Sequence, residues 1–280
     1  MNVFKSLSGI NIPFQIYGTA WKEDQTADLV EIALQKGFRG IDTACQPKHY
    51  KEPLVGKAIE RSYQSGIKRS DLFLQTKFTS YRGQDPNDCP YDPRLSLEDQ
   101  IKRSLSVSLS NLKTDYLDSY ILHSPMNTWE ETKRAWKVFE GFCKEGLVKQ
   151  LGISNCYDLG YFKKLYDESE IKPSVLQNRF YKETNYDKEL RKFCVDRGIY
   201  YQSFWTVNAN KSIWQNPFVI EIAKKREVSP IQVFFRSLVY ECIYPLYGTT
   251  NTIHMKEVID LFSISLSEKE RQEIRSIENY

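Results

Sequence analysis

The sequence predicts an α/β protein: a single (β/α)8 TIM barrel, with an N-terminal hairpin before it and C-terminal helices after it. Three observations predict this. Short apolar runs alternate about eight times with longer amphipathic stretches, and such alternation implies a parallel sheet. The short runs are apolar through their length instead of alternating, as in strands buried on both faces. Eight such units in 280 residues match the ~250 residues typical of a closed barrel. An open doubly wound sheet is the rival. No Gly-x-Gly-x-x-Gly follows the first run, which removes support from the nucleotide-binding form of that rival.

Taken in order, residues 6–12 carry Ser8-Gly9 between short apolar pieces, a hairpin signal. The expected strands are 14–17, 40–42, 72–77, 116–123, 148–154, 174–177, 199–204 and 242–247. Helices are expected over 24–35, from near Lys51, and over 97–112, 129–143, 161–166, 188–195, 219–225 and 231–239. The 97–112 stretch spaces Ile101, Leu105, Leu109 and Leu112 along one face. Glu98 and Asp99 sit in its first turn, where carboxylates suit the helix dipole. Gly146 and Gly198 follow helices where a left-handed residue is wanted. Two terminal helices are expected at 254–261 and 267–277, the second opened by the capping box Ser267-Glu-Lys-Glu270. The connection 79–96 is long and rich in Pro, Asp, Asn and Gly, the character of a functional or mobile loop. No linker or repeat divides the chain, so residues 1–280 are expected to form one domain.

Composition excludes several classes. Hydrophobic residues are 41% and charged residues 27%, ordinary for a globular chain. A net charge of +3, from 39 basic and 36 acidic residues, gives no field for nucleic acid or an anionic membrane. The six cysteines form no Cys-x-x-Cys pair and do not cluster with the three histidines, so no metal site is expected. Free thiols fit a reducing compartment. No signal peptide and no window of ~20 apolar residues is present. The expectation is a cytoplasmic monomer.

In a barrel of this kind the active site lies where the strands end. The strand ends are Asp42, Lys77, His123, Ser154-Asn155, Gln177, Phe204 and Gly248-Thr249-Thr250. A lysine closing a buried run is costly unless paired, and Asp42 is its natural partner. Beyond Asp42 the loop carries His49 and Tyr50. A phenol beside an ammonium has its pKa drawn down and can then exchange a proton near neutral pH. Each residue has a plainer reading too. A lone histidine is more often a satisfied core residue than a catalyst, and Ser154-Asn155 or Thr249-Thr250 could simply cap helices. The aromatics Tyr81, Tyr91, Trp205 and Trp214 either wall a substrate pocket or pack on the surface.

At these residues the sequence resembles the aldo-keto reductases. The matching segments are Gly-Phe-Arg-Gly-Ile-Asp-Thr-Ala (37–44), Val-Gly-Lys-Ala-Ile (55–59), Leu-Gln-Thr-Lys-Phe (74–78), Asp-Ser-Tyr-Ile-Leu-His-Ser-Pro (118–125), Leu-Gly-Ile-Ser-Asn (151–155) and Lys-Pro-Ser-Val-Leu-Gln (172–177). The resemblance implies a tetrad of Asp42, Tyr50, Lys77 and His123. It implies NADP(H), with NAD(H) as a second possibility, bound without a Rossmann fold. Asp42 would lie against the cofactor as well. Ser154, Asn155 and Gln177 would hold the nicotinamide carboxamide, and Phe204 would stack on its ring. Gly18-Thr19-Ala20 and Gly248-Thr249-Thr250 would follow the rest of the cofactor, with His254 where many members carry arginine.

The implied activity is reversible reduction of a small aldehyde or ketone, with tyrosine as general acid and base. The apolar and aromatic rim points to a bulky or aromatic substrate. Two departures stand out. The family's tyrosine usually comes five residues after the aspartate, whereas here position 47 is proline and Tyr50 comes eight residues on. Counted back from Glu52, the tyrosine position falls on His49, which leaves His49 as the rival proton donor. The loop 245–257 also lacks the lysine and arginine that clamp a 2′-phosphate, and Val258 replaces an asparagine often found against the adenine. The altered spacing keeps open a second function, a catalytically weak NADP(H)-binding sensor or regulatory subunit. A barrel isomerase or lyase holding phosphate at Gly248-Thr249-Thr250 is a more remote third.

Overall fold

The structure is a computed structural model and describes residues 3–280. Strands β1 (Val3–Lys5) and β2 (Asn11–Pro13) pair antiparallel, Val3 opposite Pro13. Gly9 turns the chain between them at φ +75°, a conformation cheap only for glycine. Eight parallel strands then close a barrel: β3 (Ile16–Gly18), β4 (Gly40–Asp42), β5 (Phe73–Phe78), β6 (Ser119–Leu122), β7 (Leu151–Ser154), β8 (Val175–Arg179), β9 (Tyr200–Phe204) and β10 (Ile243–Tyr247). They pair in chain order, and β10 closes on β3 through Tyr247 opposite Tyr17. The expected (β/α)8 architecture is the observed one. Several observed strands are shorter than their apolar runs. The early part of two runs survives only as a bridge between Leu117 and Val148.

The outer helices are α1 (Thr26–Lys36), α2 (Glu52–Gln64), α3 (Leu97–Leu112), α4 (Trp129–Lys144), α5 (Leu159–Glu168) and α6 (Lys188–Arg197). Two single turns follow, α7 (Thr206–Ala209) and α8 (Lys211–Trp214), which the sequence reading missed. Four residues carry too little periodicity to betray a helix. Then come α9 (Pro217–Lys225), α10 (Pro230–Tyr240), α11 (Thr252–Ile259) and α12 (Glu268–Ser276). Two caps fall where expected, with Ser267 and Glu270 forming the capping box and Gly198 ending α6 at φ +66°, and Ser96 caps α3 by accepting from the Asp99 amide. Helix α2 packs so closely on α3 that a Cβ at Gly56 would overlap the Asn111 carbonyl. Between β9 and α9 the chain runs through these short turns, and its first residues, Trp205 to Asn208, line the cleft.

The core has two parts. One lies between barrel and helices, where Ile101, Leu105 and Leu112 of α3 are buried as their spacing requires. The other fills the lower barrel with Ile16, Phe73, Ile121, Val175, Tyr200 and Tyr244, and the hairpin's Ile12 and Phe4 cover it from below. Tyr200 and Tyr244 stack at 4.3 Å and 2°, an arrangement contributing about 1 kcal/mol beyond burial. Gly40 is obligatory here, since a Cβ would come 2.6 Å from Ile16 and 2.9 Å from Pro13. Above this floor the barrel is polar. Gln75, Gln177 and Gln202 form a buried layer, and the mouth of the site rests on it.

Candidate active site

The strand ends open into one cleft of about 1260 Å³. Its floor begins at the last residue of β4. Asp42 is 2% exposed, and its carboxylate accepts three hydrogen bonds. Lys77 Nζ gives one to Oδ2 at 2.6 Å, while Gln75 and Gln177 give two to Oδ1 at 2.7 and 3.1 Å. Gln75 and Gln177 also each donate to Gln202 Oε1 at 2.7 Å, so Gln202 holds both amides in place. Lys77 is wholly buried and donates a second bond to the Thr43 carbonyl at 2.7 Å. Burial alone would lower the Lys77 pKa, but Asp42 and Tyr50 outweigh it and the net direction is upward. The ammonium is therefore permanent at neutral pH.

The residues after Asp42 fold back in a turn. The His49 and Tyr50 amides both donate to the Gln46 carbonyl at 3.0 Å. The two side chains part there. Tyr50 lies over Lys77, whose Nζ is 5.1 Å from the ring centroid, and its ring meets that of His123 edge-on at 6.0 Å. His49 packs on Trp21 with ring centroids 3.9 Å apart and tilted by 37°, and bonds Gln46 Oε1 through Nδ1 at 3.1 Å. Tyr50 thus joins Asp42, Lys77 and His123 in one cluster, and His49 lies on the wall. The expected fall in the phenol's pKa is not what the surroundings produce. Burial raises it, the Lys77 ammonium draws it back only part of the way, and Asp42 adds to the rise.

His123 follows β6, with its amide bonded to the Phe78 carbonyl at 2.9 Å. Its Nδ1 meets Thr79 Oγ1 at 2.6 Å. Burial first, then Lys77 and His49, holds its pKa well below the ordinary imidazole value, so the ring is neutral at pH 7. Asn155 donates its side-chain amide to the His123 carbonyl at 2.9 Å and sits at φ +53°, a conformation asparagine tolerates. Ser154 Oγ donates to the Gln177 carbonyl at 2.7 Å.

The other expected residues divide. Gly18, Ala20, Ser154, Asn155, Gln177, Phe204, Gly248, Thr249 and His254 line the cleft. Thr19 does not: it is wholly buried, and its hydroxyl donates to the Asp42 carbonyl at 2.9 Å, bracing β3 against β4. Thr250 is exposed outside the cleft, and Asn251 caps α11. Of the four aromatics, only Trp205 lines the cleft. Tyr91 is buried with its hydroxyl on the Thr79 carbonyl, Trp214 bonds the Val207 carbonyl, and Tyr81 is exposed. Sequence reasoning missed Trp21, Lys22, Gln46, Thr79, Arg82 and Asn127, all in the cleft wall. Trp21 and Lys22 adjoin Gly18-Thr19-Ala20 and were open to notice. Arg82 and Asn127 sit on separate loops and were not.

The residues present suit a nicotinamide dinucleotide. Gln177 has its Nε2 committed to Asp42 and Gln202, and its Oε1 meets only Ser154 Oγ, at 3.5 Å. That leaves an acceptor for a carboxamide NH2. Lys22 crosses the groove to the Gly248 carbonyl, so one cation and the Thr249 hydroxyl stand where phosphate would run. On helix α11 beyond, Lys256 is paired with Asp260 at 2.6 Å. Glu257 lines the cleft and accepts from Ser229 at 3.2 Å. Among the described residues no His/Cys/Asp/Glu group is arranged to hold a metal, and no helix is long and apolar enough to cross a membrane.

Comparison with known proteins gives the relatives of this chain and of its fold. The model of the aldo/keto reductase family matches residues 13–208. A glyoxal reductase of Bacillus subtilis is 27% identical over 272 residues, covering 96% of this chain and 90% of that protein. An NAD/NADP-dependent indole-3-acetaldehyde reductase of Schizosaccharomyces pombe is 27% identical over 285 residues, covering 96% and 93%. The crystal structure of an aldo/keto reductase from Brucella melitensis superposes with a TM-score of 0.82 at 28% identity, covering 99% of each chain.

Proposed function

The chain belongs to the aldo/keto reductase family, an NAD(P)H-dependent oxidoreductase, and from that premise we propose that it reduces a small polar aldehyde or ketone with Tyr50 as proton donor. The observation that carries this reading is the meeting of Tyr50, Lys77 and His123 around one point of the cleft floor. When bound, the dinucleotide supplies the hydride to the carbonyl carbon. Tyr50 gives its phenolic proton to the carbonyl oxygen, and His123 holds that oxygen by a hydrogen bond. Lys77, anchored by Asp42, stabilises the phenolate left behind and so serves the alcohol-oxidising direction too. Ser154, Asn155 and Gln177 orient the carboxamide, and Phe204 offers the stacking face.

The wall on the Tyr50 side is polar. Gln46, His49, Ser80, Arg82, Ser124 and Asn127 form it, with Trp21 as its aromatic surface. This sides with compact, oxygen-rich carbonyls, of the kind named for the glyoxal reductase, over an indole aldehyde. The sequence points to an aromatic substrate instead, and Trp21, Phe204 and Trp205 give the cleft the aromatic surface that reading needs. NADPH and NADH should both serve, because the segment from Thr249 into α11 carries hydroxyls and His254 in place of a fixed cation pair. The sensor reading rests on the Asp-to-Tyr spacing, and the turn at 46–50 that carries Tyr50 over Lys77 supports the enzyme reading.

The test is loss of reduced-nicotinamide absorbance with a panel of dicarbonyls, aldoses, uronic acids and aromatic aldehydes. Turnover highest on the oxygen-rich members supports the reading. Tight dinucleotide binding with no turnover on any member would sink it in favour of the sensor.

A further inference from the structure

Thr79 stands directly after β5, and its surroundings leave it one orientation. Its side chain is 5% exposed. Its carbonyl accepts from Tyr91 Oη at 2.7 Å and Gln84 Nε2 at 3.2 Å, which pins the backbone. Its methyl group packs on Gly83, where an added Cβ would approach to 2.7 Å. The hydroxyl is left pointing at His123 Nδ1, 2.6 Å away. That contact is compatible with two proton arrangements. If Nδ1 carried the proton and donated to Oγ1, the Thr79 hydroxyl proton would have no acceptor within the protein, since Oγ1 makes no other hydrogen bond among the described residues. If the hydroxyl donates to Nδ1, both partners of the contact are satisfied and the imidazole proton resides on Nε2, facing the cleft.

We propose that Thr79 is a positioning residue that fixes the tautomer of His123, donating to Nδ1 so that the proton sits on Nε2, the nitrogen left free for a ligand. Which ring nitrogen is protonated is set by the bond the other one makes. The consequence is a division of labour. His123 meets a carbonyl oxygen as a neutral hydrogen-bond donor, and Tyr50 is left to release the proton. The nearby Lys77 charge and the burial of the ring keep His123 from taking a second proton. This consequence rests on the proposed carbonyl-reducing function, whereas the tautomer itself does not.

The experiment separates the two. With only three histidines in the chain, ¹⁵N spectra of histidine-labelled protein at neutral pH are assigned with His49→Gln and His254→Gln. The wild type is expected to show His123 with unprotonated Nδ1 and protonated Nε2. Thr79→Val should turn this into a tautomer mixture, and Thr79→Ser should restore the wild-type pattern. In parallel, Thr79→Val should lower kcat/KM for an aldehyde on the order of tenfold, mainly through KM. The NADPH dissociation constant, read by tryptophan fluorescence, should be unchanged. A wild-type spectrum with the proton on Nδ1 overturns the proposal, even if Thr79→Val fails to fold. So does a Thr79→Val spectrum identical to wild type. If the spectra behave as expected while no carbonyl is reduced, the role of Thr79 stands and the proposed function fails.

Discussion

Lys77 Nζ lies 2.6 Å from Asp42 Oδ2, with the lysine wholly buried and the aspartate nearly so. Removing one partner leaves the other charge buried without compensation, which costs about 3–5 kcal/mol. Lys77→Met should therefore lose both turnover and stability. The double variant Lys77→Met/Asp42→Asn should regain most of the stability and none of the activity. Urea unfolding beside a turnover assay checks this. A double variant as unstable as the single one would show that the pair is not coupled.

Tyr50→Phe should reduce turnover by at least about a hundredfold while NADPH still quenches tryptophan fluorescence normally. His49→Ala should change it only a few-fold, because His49 faces Trp21 and Gln46. The reverse ranking would make His49 the proton donor.

The pH profile follows from the directions of the shifts. The Tyr50 phenol is raised above its ordinary value of 10.0, so it remains protonated through neutral pH. Reduction should be level to about pH 9 and fall only as the phenol ionises beyond about pH 10, while alcohol oxidation rises there. His123 is lowered well below 6.5, so it adds no inflection near pH 7. Its effect on stability has a definite sign. The unfolded chain binds a proton near pH 6.5 that the folded chain refuses, so stability is full above that pH and declines below it. Turnover and chemical unfolding measured across pH test both halves.

How far these features could be foreseen varies with their range in sequence. Asp42, Lys77 and His123 each end an apolar run, and a strand end is visible locally. The choice between Tyr50 and His49 was not, because it depends on a turn in which two consecutive amides share the Gln46 carbonyl. The glutamine layer was hidden too. Gln75 and Gln202 are 127 residues apart and each reads as a lone polar residue inside a strand. Barrel closure alone makes them neighbours.

Cofactor preference is open to redesign. The cleft wall carries His254 in the first turn of α11, whose Lys256 is tied to Asp260. His254→Arg should tighten NADPH about tenfold through a charge-assisted bond to the 2′-phosphate and leave NADH nearly unchanged. Fluorescence titration with both dinucleotides checks it. Equal gains for the two would place the residue away from that phosphate.

Gly56→Ala is expected to be the costliest small substitution in the outer shell, since the added methyl collides with the Asn111 carbonyl, which is backbone and cannot rotate aside. A loss of about 1–3 kcal/mol, read as a lowered Tm with kcat preserved in the folded fraction, would bear this out. An unchanged Tm would mean that α2 can slide on α3.

The three glutamines beneath Asp42 set a limit on engineering this enzyme. Exchanging Gln75 and Gln202 for aliphatic residues would extend the oily floor upward and should harden the barrel against heat. The same exchange would strip Asp42 of a donor and leave Gln177 unsupported on one side. Thermostability and reactivity therefore draw on the same few atoms. Selection for a tougher barrel is expected to pass this layer by and collect its gains on the helices instead.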